Sequence, residues 1–162
     1  MVERLTDAPS LTRRATAEAL GTSALVFAGC GAIITNTERG GTLGTVGVRL
    51  VFGLVILAGI AAVGHISGAH FNPAVTTSFF LTRHLPAREA GTYVAAQLAG
   101  ATAGALLLWL VWPDKPADLG ATVPSIAVGR AVIVEGAMSA LLMFVILSVA
   151  TDTRAGRVRP PR

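Results

Sequence analysis

The stretch Ser67-Gly68-Ala69-His70-Phe71-Asn72-Pro73-Ala74-Val75-Thr76-Thr77-Ser78-Phe79-Phe80-Leu81-Thr82 decides the fold. It lies between two long apolar runs and is itself too short to cross a bilayer as a helix. Asn72-Pro73 reads as a helix start, since Asn is a favoured N-cap and Pro suits the first helical position, where its missing N–H is not needed. Pro73 to Thr82 is ten residues, about 15 Å of helix. That is half of a hydrocarbon core of about 30 Å. The pattern predicts a re-entrant half-helix whose positive N-terminus points at the membrane midplane. Irregular backbone at that depth is tolerated only inside protein or along a water-filled cavity, so residues 67–72 are expected to line a cavity.

Composition agrees with a membrane setting. Of 162 residues, 52% are hydrophobic and 14% charged, against roughly 25% charged in a soluble domain. We expect one all-α membrane domain over residues 1–162, with polar tails at 1–14 and 151–162 on the cytoplasmic side. Four spans are predicted, at about 15–35, 46–66, 88–112 and 125–150, and Trp109 and Trp112 close the third at an interfacial position. The first apolar run is too long for a secretory signal and is followed by more spans. Cys30 is the single cysteine, which excludes an internal disulfide. Nine of the Lys and Arg residues flank the termini and the 83–88 connection; Arg39, Arg49, Lys115 and Arg130 lie on the other side. This bias places both termini in the cytoplasm and accounts for the basic pI without nucleic acid as a partner. His65 and His70 lack a third nearby ligand, so no metal site is expected, and no nucleophile–base set points to an enzyme.

Two carboxylates, Glu18 and Glu135, fall inside predicted spans, where charge is costly and usually functional or paired. They are 117 positions apart, and the same offset aligns Arg13 with Arg130, Thr22 with Ser139, Leu25 with Leu142 and Phe27 with Phe144. Lying three spans apart, these segments have opposite orientations, as in inverted-repeat transport proteins. The offset puts the counterpart of Asn72 beyond residue 162.

Gly64-His65-Ile66-Ser67-Gly68-Ala69-His70-Phe71-Asn72-Pro73-Ala74-Val75-Thr76 resembles the first NPA box of the major intrinsic proteins, the aquaporins and glycerol facilitators. Glu18-Ala-Leu-Gly-Thr22 is similar to that family's first-helix signature, and Ala150-Thr151-Asp152-Thr153-Arg154 to its exit from the fourth span. The resemblance covers about residues 12–156 and implies an aquaporin-like bundle of four spans plus one half-helix. It implies passive conduction of water, or of small neutral solutes such as glycerol, across the cell membrane, with no cofactor, and assembly as a homotetramer. Asn72, capping the half-helix beside Pro73 and Ala74, would donate its side-chain amide to a passing oxygen. Gly68, Ala69 and His70 would offer backbone carbonyls as acceptors, and Phe52, twenty residues before Asn72, would stand at the outer selectivity constriction. Glu135 is expected to accept hydrogen bonds from the 67–72 amides, and Glu18 to do so for a second loop that this sequence does not contain. The family's fifth and sixth spans and second NPA box are not in these residues. A chain cut short after its fourth span is therefore expected, with a non-conducting remnant, or an assembly partner of a full-length channel, as the alternative function.

Overall fold

A computed structural model describes residues 8–151. Internal contacts divide the chain into two compact units, Met1–Ala121 and Thr122–Arg162. Among the described residues the first unit consists of helices joined by short loops and turns, and several helix boundaries have a local cause.

Helix α1 (Leu11–Glu38) starts at Ser10, whose Oγ accepts a hydrogen bond from the Arg13 amide at 3.3 Å. The expected polar tail over 1–14 is therefore shorter: Leu11 to Arg14 form the first turn of α1, and residues 1–7 and 152–162 lie outside the described residues. The Gly-rich turn after α1 is closed by Asn36, whose Oδ1 accepts from the Leu43 and Gly44 amides at 3.0 and 2.9 Å. Helix α2 (Gly44–Ser67) ends at Gly68, with φ of 88° and its N–H donated to the Gly64 carbonyl at 2.9 Å. This is the left-handed cap that glycine adopts without a Cβ penalty.

Helix α3 (Pro73–Leu81) is the expected half-helix. Asn72 caps it in an extended conformation, and its Oδ1 accepts from the Ala74 amide at 2.8 Å. Its nine residues span about 14 Å, too short to cross the hydrocarbon. Helix α4 (Ala87–Val111) follows Pro86, and a short 3₁₀ segment, Pro116–Gly120, returns onto α1. Helices α2 and α4 both pack on α1, and α3 packs on α4. The second unit contributes α5 (Val128–Ala150), 23 residues long. With α1, α2 and α4 it makes four helices, among the described residues, long and apolar enough to cross a membrane.

The α1–α4 crossing is set by small residues. The buried stripe of α4 runs Ala90, Tyr93, Gln97, Gly100, Gly104, Leu108, the three-and-four spacing of one helical face. A Cβ on Gly100 would lie 2.1 Å from the Ala19 carbonyl oxygen, and one on Gly104 would lie 2.6 Å from that of Ser23. Backbone touches backbone here, the close approach that small residues permit between membrane helices. Gly91, by contrast, has nothing within 4 Å of a built Cβ.

Gly100→Ala is expected to cost about 1–3 kcal/mol through overpacking. Gly91→Ala is expected to gain roughly 0.5–1 kcal/mol from the better helix former. Thermal unfolding in detergent, followed by circular dichroism, checks the pair, and shifts of the same sign would contradict this reading of the crossing.

Candidate functional site

The loop between α2 and α3, residues 68–72, is built around the carboxylate of Glu18, which is fully buried on α1. Its Oε1 accepts from the Ser67 hydroxyl at 2.7 Å and the His70 amide at 3.0 Å. Its Oε2 accepts from the Phe71 amide at 2.7 Å and Gln97 Nε2 at 2.8 Å. Four donors thus converge on two oxygens, which is how a buried acceptor offsets the loss of water. Gln97 also donates to Thr76 Oγ1 at 2.8 Å, and Thr76 lies 3.1 Å from His70 Nδ1. One carboxylate and one amide therefore tie α1, α3, α4 and the loop together.

This corrects the expected assignment of the two membrane carboxylates. Glu18 holds the 67–72 loop, the task expected of Glu135. Glu135 belongs to α5 in the second unit. The physical reason is proximity: α1 packs on both α2 and α4, so its Glu18 lies where the loop amides emerge.

The loop backbone alternates. Gly68, Ala69 and Phe71 have positive φ, at 88°, 52° and 51°, and the peptide units turn their amides inward. The Ala69 amide donates to Ser67 Oγ at 3.1 Å, and those of His70 and Phe71 go to Glu18. The carbonyls of Gly68, Ala69 and His70 have no protein donor among the described residues. Positive φ at Ala69 and Phe71 costs of order 1–3 kcal/mol each, and the bonds of the His70 and Phe71 amides to Glu18 help to hold the loop in this shape.

Phe71 adds a steric lock. Its ring fills the slot left by two glycines: a Cβ on Gly21 would lie 1.9 Å from it, and one on Gly59 2.6 Å. The imidazole of His70 is packed rather than free, stacked on Phe79 at 4.6 Å and edge-on to Tyr93 at 5.4 Å between centroids. Asn72 is exposed. Its Oδ1 is used by the cap, and its Nδ2 has no protein acceptor among the described residues. Pro73 and Ala74 open α3 below it. Phe52 is half-buried with its ring against Gly29 of α1, about 22 Å along α2 from Ser67. Among the described residues no three His, Cys, Asp or Glu side chains gather as a metal site.

The arrangement can offer oxygen acceptors from the loop and one amide donor at a half-helix N-terminus, embedded among membrane-length helices. A sequence model of the family described as Major intrinsic protein matches residues 5–160. The chain belongs to the major intrinsic protein family. Among its relatives, a putative aquaporin NIP4-1 of Arabidopsis thaliana is 43% identical over 145 residues, covering 90% of this chain and 51% of that protein. Aquaporin NIP1-1 of Oryza sativa subsp. japonica is 44% identical over 139 residues, 86% of this chain and 49% of that protein. Nodulin-26 of Glycine max is 42% identical over 139 residues, 86% of this chain and 51% of that protein. The chain spans about half the length of the curated relatives it matches. This major intrinsic protein is a multi-pass membrane protein of the aquaporin-like fold.

Thr76, Tyr93 and Gln97 were not among the expected site residues, and Ser67 and Phe71 were expected only as part of the 67–72 cavity lining. Gln97 carried a signal: it is the lone side-chain amide within the third apolar run, and an amide in lipid needs a partner.

Glu18→Gln replaces an acceptor-only group by one that turns its NH2 toward two of the four donors, since each carboxylate oxygen accepts from two. A loss of about 3 kcal/mol is expected, the scale for a broken hydrogen-bonded buried charge, together with faster amide exchange at His70 and Phe71. Unfolding in detergent and exchange measured by NMR check this; wild-type exchange at both amides would contradict it.

Proposed function

We propose that residues 67–74 form one wall of a path for water and small neutral solutes through the bilayer. The observation that carries this reading is the polarity of the loop: the amides of Ala69, His70 and Phe71 are consumed inside the protein, the carbonyls of Gly68, Ala69 and His70 are free among the described residues, and the free Asn72 side-chain amide follows them. Passing hydroxyl groups would donate to the Gly68, Ala69 and His70 carbonyls in turn and accept from Asn72 Nδ2. The N-terminus of α3 adds roughly half a positive charge, which turns each water oxygen toward it and opposes cations and protons. Family membership supports the channel class. Phe52, as a large aromatic on α2, would narrow the outer part of the path in favour of water. The Lys and Arg distribution supports both termini on the cytoplasmic side of the cell membrane, and the family supports a homotetramer.

The test is osmotic shrinkage of liposomes carrying the chain, followed by stopped-flow light scattering, with empty vesicles and Asn72→Asp as references. The wild type is expected to shrink faster than empty vesicles. Asn72→Asp removes the donor and about 1 kcal/mol of hydrogen bonding, so a fall of about fivefold in the added permeability is expected. If folded, inserted wild-type chain shrinks no faster than empty vesicles, the chain alone does not conduct. The reading as a non-conducting partner of a longer channel then takes over.

A further inference from the structure

The loop has a second anchor, distinct from Glu18. Ser67 is the last residue of α2, and its carbonyl lies one position before the free carbonyls of Gly68, Ala69 and His70. Unlike them it is taken: the Tyr93 hydroxyl donates to it at 2.7 Å. Tyr93 is fully buried, and its oxygen accepts from Arg14 Nε at 2.8 Å. The Arg14 guanidinium also sits 5.2 Å from the Tyr93 ring centroid and pairs through its Nη1 with Glu89 at 2.7 Å. Arg14 stands in the first turn of α1 and Glu89 in the first turn of α4.

The direction of each hydrogen bond follows from chemistry. A guanidinium can only donate, so the Tyr93 oxygen accepts from Arg14 and its own hydrogen is left for Ser67. Glu89 fixes the guanidinium plane from the other side. We propose that Arg14, Glu89 and Tyr93 act as a positioning relay that pins the Ser67 carbonyl and so sets where the row of free carbonyls begins. This rests on the reading of that row as part of a solute path. With the relay intact, Ser67 is held at both ends: its hydroxyl on Glu18, its carbonyl on Tyr93. Without it, the Ser67–Gly68 peptide keeps only its Gly68 N–H bond to the Gly64 carbonyl, its carbonyl side is loosened, and the amides of His70 and Phe71 lose their alignment with Glu18. The relay thus lets an ion pair at the helix ends, four residues before Glu18 on α1 and four before Tyr93 on α4, govern its register.

The test compares Arg14→Met, Arg14→Lys and Tyr93→Phe of the full chain in detergent micelles. Amide exchange is read residue by residue by NMR, and water permeability is measured in liposomes. Arg14→Met and Tyr93→Phe are each expected to speed exchange at His70 and Phe71 about tenfold, while Leu98 to Leu107 in α4 keep wild-type protection. Arg14→Lys, which keeps a cation and a donor, is expected to restore most of it, and the Arg14→Met/Tyr93→Phe double variant to go no further than either single. Wild-type exchange at His70 and Phe71 in both single variants overturns the relay, as does loss of protection spread evenly along α4. The exchange result stands without conduction, whereas equal shrinkage of wild-type and Asn72→Asp vesicles would overturn the solute-path reading alone.

Discussion

A carboxylate inside a membrane helix is the constraint on which the rest depends. Leaving Glu18 unpaired at mid-membrane would cost roughly 2.5–3.5 kcal/mol even on the most lenient scale. The chain meets this with four donors, two of them backbone amides of a loop that has no helix or sheet of its own. The exchange is mutual. Those amides would be orphans in a low-dielectric interior, and the positive φ of Ala69 and Phe71 would relax without a partner to enforce it. Carboxylate and loop each supply what the other lacks.

That arrangement needs α4 very close to α1, and glycine makes it so. Gly100 and Gly104 let the two backbones touch, and the same face of α4 carries Gln97 and Tyr93. Gln97 reaches Glu18 and Thr76, and Tyr93 reaches Ser67. A wider crossing would carry both side chains out of range. Gly21 and Gly59 do the equivalent for Phe71, whose ring occupies the space their missing side chains leave. The packing glycines and the polar network are therefore one design: small residues set the distance, and long polar ones bridge it.

Much of this was legible in the sequence. The half-helix followed from Asn72-Pro73 and from ten residues caught between apolar runs, and its cap formed as capping chemistry requires. The four long helices followed from hydropathy, with ends displaced by a few residues where Ser10 and Gly68 supplied caps. The loop's partner was not legible. Glu18 and Glu135 stand at matched places in an internal repeat, so spacing alone ranks them equally; only the packing of α1 on α2 and α4 tells them apart. Gln97 and Tyr93 were hidden for a related reason. Each is one of a few polar residues in the third apolar run, and what it bonds to depends on which helix faces it.

The loop's chemistry is one of subtraction. An isolated peptide offers donors and acceptors in equal number, and a wall of that kind would hold water in either orientation. Here the amides of Ala69, His70 and Phe71 are withdrawn to Ser67 and Glu18, and that of Ala74 to Asn72 Oδ1. What remains outward is a run of acceptors ending at the side-chain amide of Asn72. A one-sided row imposes one dipole orientation on any chain of waters beside it, and the half-helix N-terminus reinforces that orientation at the end where Asn72 stands. For the proposed conduction, selectivity against protons would then come less from any group that repels them than from the withdrawal of the Ala69, His70 and Phe71 donors that would let a water turn round.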